Sequence, residues 1–254
     1  MNENTNKLAA LASLAHSALN SSGTEYAQVK AMIAQFFAPS CAVSHKEEVR
    51  LTLIDSWFST NVASRRLFGI SDIANRLRAA FKNGDAEAKE AAAQWIAGSF
   101  DGANPLCALF AEKYGVNKAG EERNAAYSLL SKYLYFATDY AFPIYDNLGA
   151  NYYYLAGELN NPDFTARFRT LQKIMRENAI DGFDQMDNFF WLYGKVDTGS
   201  FSLVLNKEKY AALSAYQGDA VKDIRAGNSS PALQNIFGPD MAAFIQKSAE
   251  TVSL

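Results

Sequence analysis

The chain has 254 residues, 49% of them hydrophobic and 13% aromatic, with 24 Lys and Arg against 27 Asp and Glu for a formal charge of −3. That apolar content supplies a core for one large domain or two modest ones and excludes overall disorder. The acidic balance excludes a globally basic nucleic-acid binder while leaving room for a local basic stripe, and the two cysteines, Cys41 and Cys107, form neither a disulfide framework nor a zinc pattern.

In chain order, residues 5–20 and 24–37 read as two helices broken at Asn20-Ser21-Ser22-Gly23, with Thr24 an N-cap and Pro39 a stop. Residues 1–40 are read as an N-terminal helical extension and 41–254 as the main domain. The apolar positions between 50 and 58 close better on a helix than on a strand. Ser71 is read as the cap of an amphipathic helix carrying Ile73, Leu77, Ala80 and Phe81, and Asp85 as the cap of the next, over 85–98. Asn104-Pro105 opens a helix to about 114.

A helix is then predicted over 121–138, another from Asp146 to about residue 158, and a third over 163–178. The last carries the apolar positions Phe164, Phe168, Leu171 and Met175, with Arg169, Lys173 and Arg176 on a second face. Further helices are expected at 184–193, closed by Gly194, and from Asp240 to Val252. The best strand signal is the short run 201–205. No stretch of apolar residues is long enough for a membrane span, and the N-terminus fits a signal peptide poorly, so a cytoplasmic protein without membrane contact is expected. Gly194-Lys195 with Thr198-Gly199-Ser200 lacks phosphate-loop spacing and a preceding strand. Neither a cofactor nor a metal is expected.

Asp146 stands out among the candidate site residues. A carboxylate at a helix start after Pro143 serves as an N-cap, and at a cleft it can also stabilise a developing cation or activate water. His16 and His45 lack a nucleophile or acid partner in the sequence. Arg65 and Arg66, with Arg76, Arg78 and Lys82, and separately Arg169, Lys173 and Arg176, are candidate phosphate contacts, with solvated helix faces as the plainer reading. Tyr145, beside Asp146, is the aromatic singled out as a pocket residue.

Residues 124–149, containing LLSKYLYFATDYAFPIYDNL, resemble a segment of the helix-hairpin-helix DNA glycosylase superfamily, the 8-oxoguanine glycosylase-like branch in particular. There an apolar helix leads through a short turn into a Pro-Val-Asp that starts the next helix. Residues 54–61 with 65–69, and 186–195, resemble stretches of uncharacterised bacterial proteins assigned to the same fold. The resemblance implies an all-α or nearly all-α, two-lobed fold that grips DNA, flips a base and cleaves its glycosidic bond, with Asp146 matching the family's acid. The motif here reads Pro-Ile-Tyr-Asp, one residue longer, and residues 114–120 only loosely replace the Leu-Pro-Gly-Val-Gly hairpin. The position of the lyase-type lysine falls on Leu129, with Lys132 a displaced amine that ordinarily would be solvated. The expected activity is therefore that of a monofunctional N-glycosylase with DNA as partner. The alternative is a catalytically inactive helical scaffold whose partner is another protein.

Overall fold

The computed structural model describes residues 3–21, 23–58, 60, 69–100, 102–116, 119–123, 125–145 and 163–251. The described chain is mostly helical. In order it forms α1 (Glu3–Leu19), α2 (Glu25–Gln35), α3 (Lys46–Phe58), α4 (Ile70–Ala80), α5 (Asp85–Ile96), α6 (Pro105–Ala111), β1 (Gly115–Val116), β2 (Glu122–Arg123), α7 (Tyr127–Ala137), α8 (Phe164–Glu177), α9 (Phe183–Thr198), α10 (Lys207–Ser214), α11 (Ala220–Arg225) and α12 (Pro231–Thr251). The chain divides into two compact units, Met1–Lys30 with Asp146–Leu254, and Ala31–Tyr145.

Several helix starts follow from the capping side chain in the sequence. Thr24 Oγ1 accepts from the amide of Ala27 at 3.1 Å, Asn104 Oδ1 from Leu106 at 2.9 Å, and Asp163 Oδ1 from Thr165 at 2.9 Å, each satisfying an otherwise orphaned N–H. Two expected caps move. Gly69 and Gly84 occupy the positions before α4 and α5, which leaves Ser71 inside the helix and frees the Asp85 side chain to pair with arginine instead.

In the unit Ala31–Tyr145, α7 is the central element. Its residues from Ser128 to Ala137 are all buried, as expected of a helix apolar nearly all round, and it packs on α3 and α5. Trp95 of α5, 1% exposed, anchors the adjoining core, with ring centroids 5.1 Å from Phe100 and 5.3 Å from Phe142. The helix expected from 121 begins only at Tyr127, because Val116 and Glu122, and Gly115 and Arg123, are antiparallel partners.

In the other unit, α1 packs on α9 and α12, and α12 also takes α10 and α11. α12 is interrupted at Gly238, whose φ of 73° takes it out of the helix before Pro239. Gly194 does not close a helix: it lies buried inside α9, which continues to Thr198 and ends on the left-handed Gly199 (φ 64°). Residues 201–205 are no strand pair; the amides of Val204 and Leu205 both donate to the Phe201 carbonyl at 3.0 Å, and only an isolated bridge joins Leu205 to Thr24. Among the described residues no helix is long and apolar enough to cross a membrane.

Candidate functional site

The conserved-length turn of the resemblance begins where α7 ends. Asp139 (φ 53°) and Tyr140 (φ 70°) are consecutive left-handed non-glycine residues, a conformation that costs roughly 1–3 kcal/mol each. The Tyr140 amide closes α7 by donating to the Tyr135 carbonyl at 2.7 Å. The chain then returns along the helix, and the Tyr145 amide donates to Ser131 Oγ at 2.9 Å. Tyr145 is half-buried, its ring centroid 5.4 Å from that of Tyr127.

Lys132, the next residue on α7, is 2% exposed rather than solvated. Its Nζ donates to Ser128 Oγ one turn earlier at 3.1 Å and lies 5.8 Å from the centroid of the Phe58 ring. A buried lysine is expensive to desolvate, and the sequence periodicity gave no sign of it because Lys132 stands among residues that are all buried. Lys132 and Tyr145 are thus brought to the same turn of α7, through Ser128 and Ser131. Asp146, Arg65 and Arg66 lie outside the described residues, as do Tyr152, Tyr153 and Tyr154.

The remaining arginines and lysines separate into two groups. Arg76 pairs with Asp72 at 2.9 Å and with Glu112, and Arg78 with Glu48 at 2.7 Å and Glu47 at 3.4 Å. The Arg78 hydrogen bonds hold the Glu48 carboxyl down to about 2. These arginines are committed to neighbouring carboxylates. On α8, Arg169, Lys173 and Arg176 are exposed, opposite the buried Phe164, Phe168 and Met175. Lys173 and Arg176 have no ion-pair partner among the described residues.

Arg50, fully buried, is a structural node. Its Nη1 and Nη2 donate to the two Asp85 carboxylate oxygens at 2.7 and 2.9 Å, its Nε to the Phe36 carbonyl at 2.8 Å, and Nη1 also to the Tyr133 hydroxyl at 3.3 Å. Burial would raise the Asp85 carboxyl, but the Arg50 hydrogen bonds and charge, with Lys46 beside them, outweigh it and hold Asp85 below its ordinary value. Burial pushes the Tyr133 phenol up to about 12.

A second polar cluster, absent from the sequence reading, lies in the other unit. Lys30 Nζ donates to both carboxylate oxygens of Asp184 at 2.8 and 3.0 Å and to Asn20 Oδ1 at 3.2 Å. His16 Nδ1 stands 3.2 Å from Asn20 Nδ2, 3.3 Å from Asn188 Nδ2 and 3.5 Å from Asp184 Oδ2. The available signal was spacing: His16 and Asn20, Tyr26 and Lys30, and Asp184 and Asn188 are each one helical turn apart. Among the described residues no group of three or more His, Cys, Asp or Glu side chains could hold a metal ion.

Comparison with protein-family models, with curated proteins and with solved structures finds no match to this chain. The class that the fold defines is accordingly a mostly helical protein of two compact units, each with a buried polar cluster in its helical core.

Proposed function

We propose that the protein binds nucleic acid through the exposed basic face of α8 and hydrolyses an N-glycosidic bond, with Asp146 as the carboxylate. The observation that carries the binding half is that face. Arg169, Lys173 and Arg176 span about 10 Å at 1.5 Å per residue, and Lys173 and Arg176 are not neutralised by any described carboxylate, unlike Arg76 and Arg78. Cations so placed release counterions when they meet phosphates.

The chemical half is supported by the resemblance over residues 124–149 and by the anchoring of Tyr145, the residue before Asp146 in the chain, on Ser131 Oγ. As the C–N bond breaks, the base departs with the bonding pair. The Asp146 carboxylate stabilises the oxocarbenium character left on the sugar and orients the water that adds to it. Leu129 at the lyase-lysine position fits a route without a Schiff base.

The test is incubation with duplexes that each carry one modified base, followed by alkaline cleavage at any abasic product. Asp146→Asn is expected to abolish product formation while keeping duplex binding. Product formed equally by Asp146→Asn would overturn the role of Asp146, and no product from any duplex would overturn the activity.

A further inference from the structure

The cluster where α1, α2 and α9 meet contains one atom that the fold does not use. Asn188 is fully buried, and its Oδ1 has no hydrogen-bond partner among the described residues. Its Nδ2 is committed to Asp184, donating to the backbone carbonyl and, at 2.9 Å, to Oδ1. An amide flip would turn the free oxygen toward those two acceptors, so the assignment is fixed by the network. A buried acceptor left unbonded costs about 1–3 kcal/mol, and an orphan of this kind calls for a physical reason.

His16 stands directly beside it. Two carboxamide N–H groups, from Asn20 and Asn188, converge on Nδ1. That convergence makes Nδ1 an acceptor and places the ring proton on Nε2. The side chain is 43% exposed, so the ring presents an N–H donor at the mouth of the same cluster. One turn beyond Asn188 on the same face of α9, the half-buried Trp191 supplies a flat wall, its ring centroid 4.8 Å from that of Tyr26. Asp184 and Lys30 compensate each other at 2.8 Å, so the cluster carries no net charge when His16 is neutral.

We infer that this cluster is a binding site for a small neutral ligand with an amide edge, ideally a planar lactam. The ligand N–H would give Asn188 Oδ1 its missing donor, its carbonyl would accept from His16 Nε2–H, and its ring would lie against Trp191. A charged ligand is disfavoured because the Lys30–Asp184 pair leaves no charge to meet it. The site stands apart from the Asp146 chemistry and does not depend on it.

The probe is 2-pyridone, with N-methyl-2-pyridone as the analogue that keeps shape and carbonyl but lacks the donor. Titration of the full chain is followed by the Trp191 indole N–H and the Asn188 side-chain N–H₂ resonances. The expected result is a saturable shift with 2-pyridone, at least tenfold weaker binding of the N-methyl analogue, and loss of the shift in His16→Ala, a half-exposed position that leaves the fold intact. Asn188→Leu is expected to abolish binding as well. Absence of a saturable shift in the wild-type chain, or equal binding of both probes, would overturn the site whether or not Asn188→Leu folds. A failed duplex-cleavage assay leaves these readouts untouched.

Discussion

Removing the Asp85 carboxylate is expected to be one of the most damaging single changes in the unit Ala31–Tyr145. In Asp85→Ala the Arg50 guanidinium, which has no exposed surface, keeps only the Phe36 carbonyl and the Tyr133 hydroxyl. Breaking a buried ion pair from one side costs about 3–5 kcal/mol. The Asp85 side chain is 25% exposed, so water reaches part of the vacated space and the expected loss sits near the lower bound, about 3 kcal/mol. The lost acidic residue in the first turn of α5 adds only about 0.5 kcal/mol through the helix dipole. Urea unfolding at pH 7 measures the loss as a lower midpoint at unchanged slope. Arg50→Met combined with Asp85→Ala is expected to be less damaging than the two single losses added together, by about 2 kcal/mol. A loss below 1 kcal/mol in Asp85→Ala, or strict additivity in the double variant, would refute the node.

The same pair sets a pH dependence. Because the folded Asp85 carboxyl lies below its unfolded value, its contribution is complete above about pH 5 and is lost as pH falls through the folded value; urea midpoints from pH 7 down to 3 should decline more in the wild type than in Asp85→Ala. Tyr133 acts at the other end. Its phenol is held at about 12, so above about pH 10 the unfolded state loses that proton first and stability falls with rising pH; Tyr133→Phe should flatten that limb of the stability curve. Trp95→Ala empties the centre of the α5 core and should cost about 3–5 kcal/mol in the same urea assay.

What the sequence makes legible is what its residues settle locally. Thr24, Asn104 and Asp163 carry their own capping oxygen, so the starts of α2, α6 and α8 follow from single side chains. The phase of α8 was legible for the same reason, since Phe164, Phe168 and Met175 mark one side and the basic residues the other. Features set by distant partners were not. The late start of α7 depends on the pairing of residues 122–123 with 115–116. The run 201–205 is apolar enough for a strand, but Phe201, Val204 and Leu205 are buried through turns. The helices α10 and α11 lack an apolar stripe long enough to announce them.

The candidate site divides along the same line. Arg76 and Arg78 behave as helix-face charges with nearby carboxylates, the plainer reading of their neighbourhood. Lys132 does not, because burial is decided by the helices around α7 rather than by its own residues. The cluster around Asn188 was invisible for a related reason: its members come from three helices separated by more than 150 positions in the chain.

The most direct measurement is fluorescence-polarisation binding to a labelled duplex carrying an abasic analogue, at low and near-physiological salt, for the wild type and Arg169→Glu/Lys173→Glu. If the three α8 cations each neutralise a phosphate, affinity should fall about 40-fold between 50 and 200 mM salt, from a slope of roughly −0.9 per contact. The double charge reversal should remove most of both the affinity and its salt dependence. Absence of binding at low salt, or binding indifferent to salt and to the charge reversal, would contradict nucleic-acid recognition by α8.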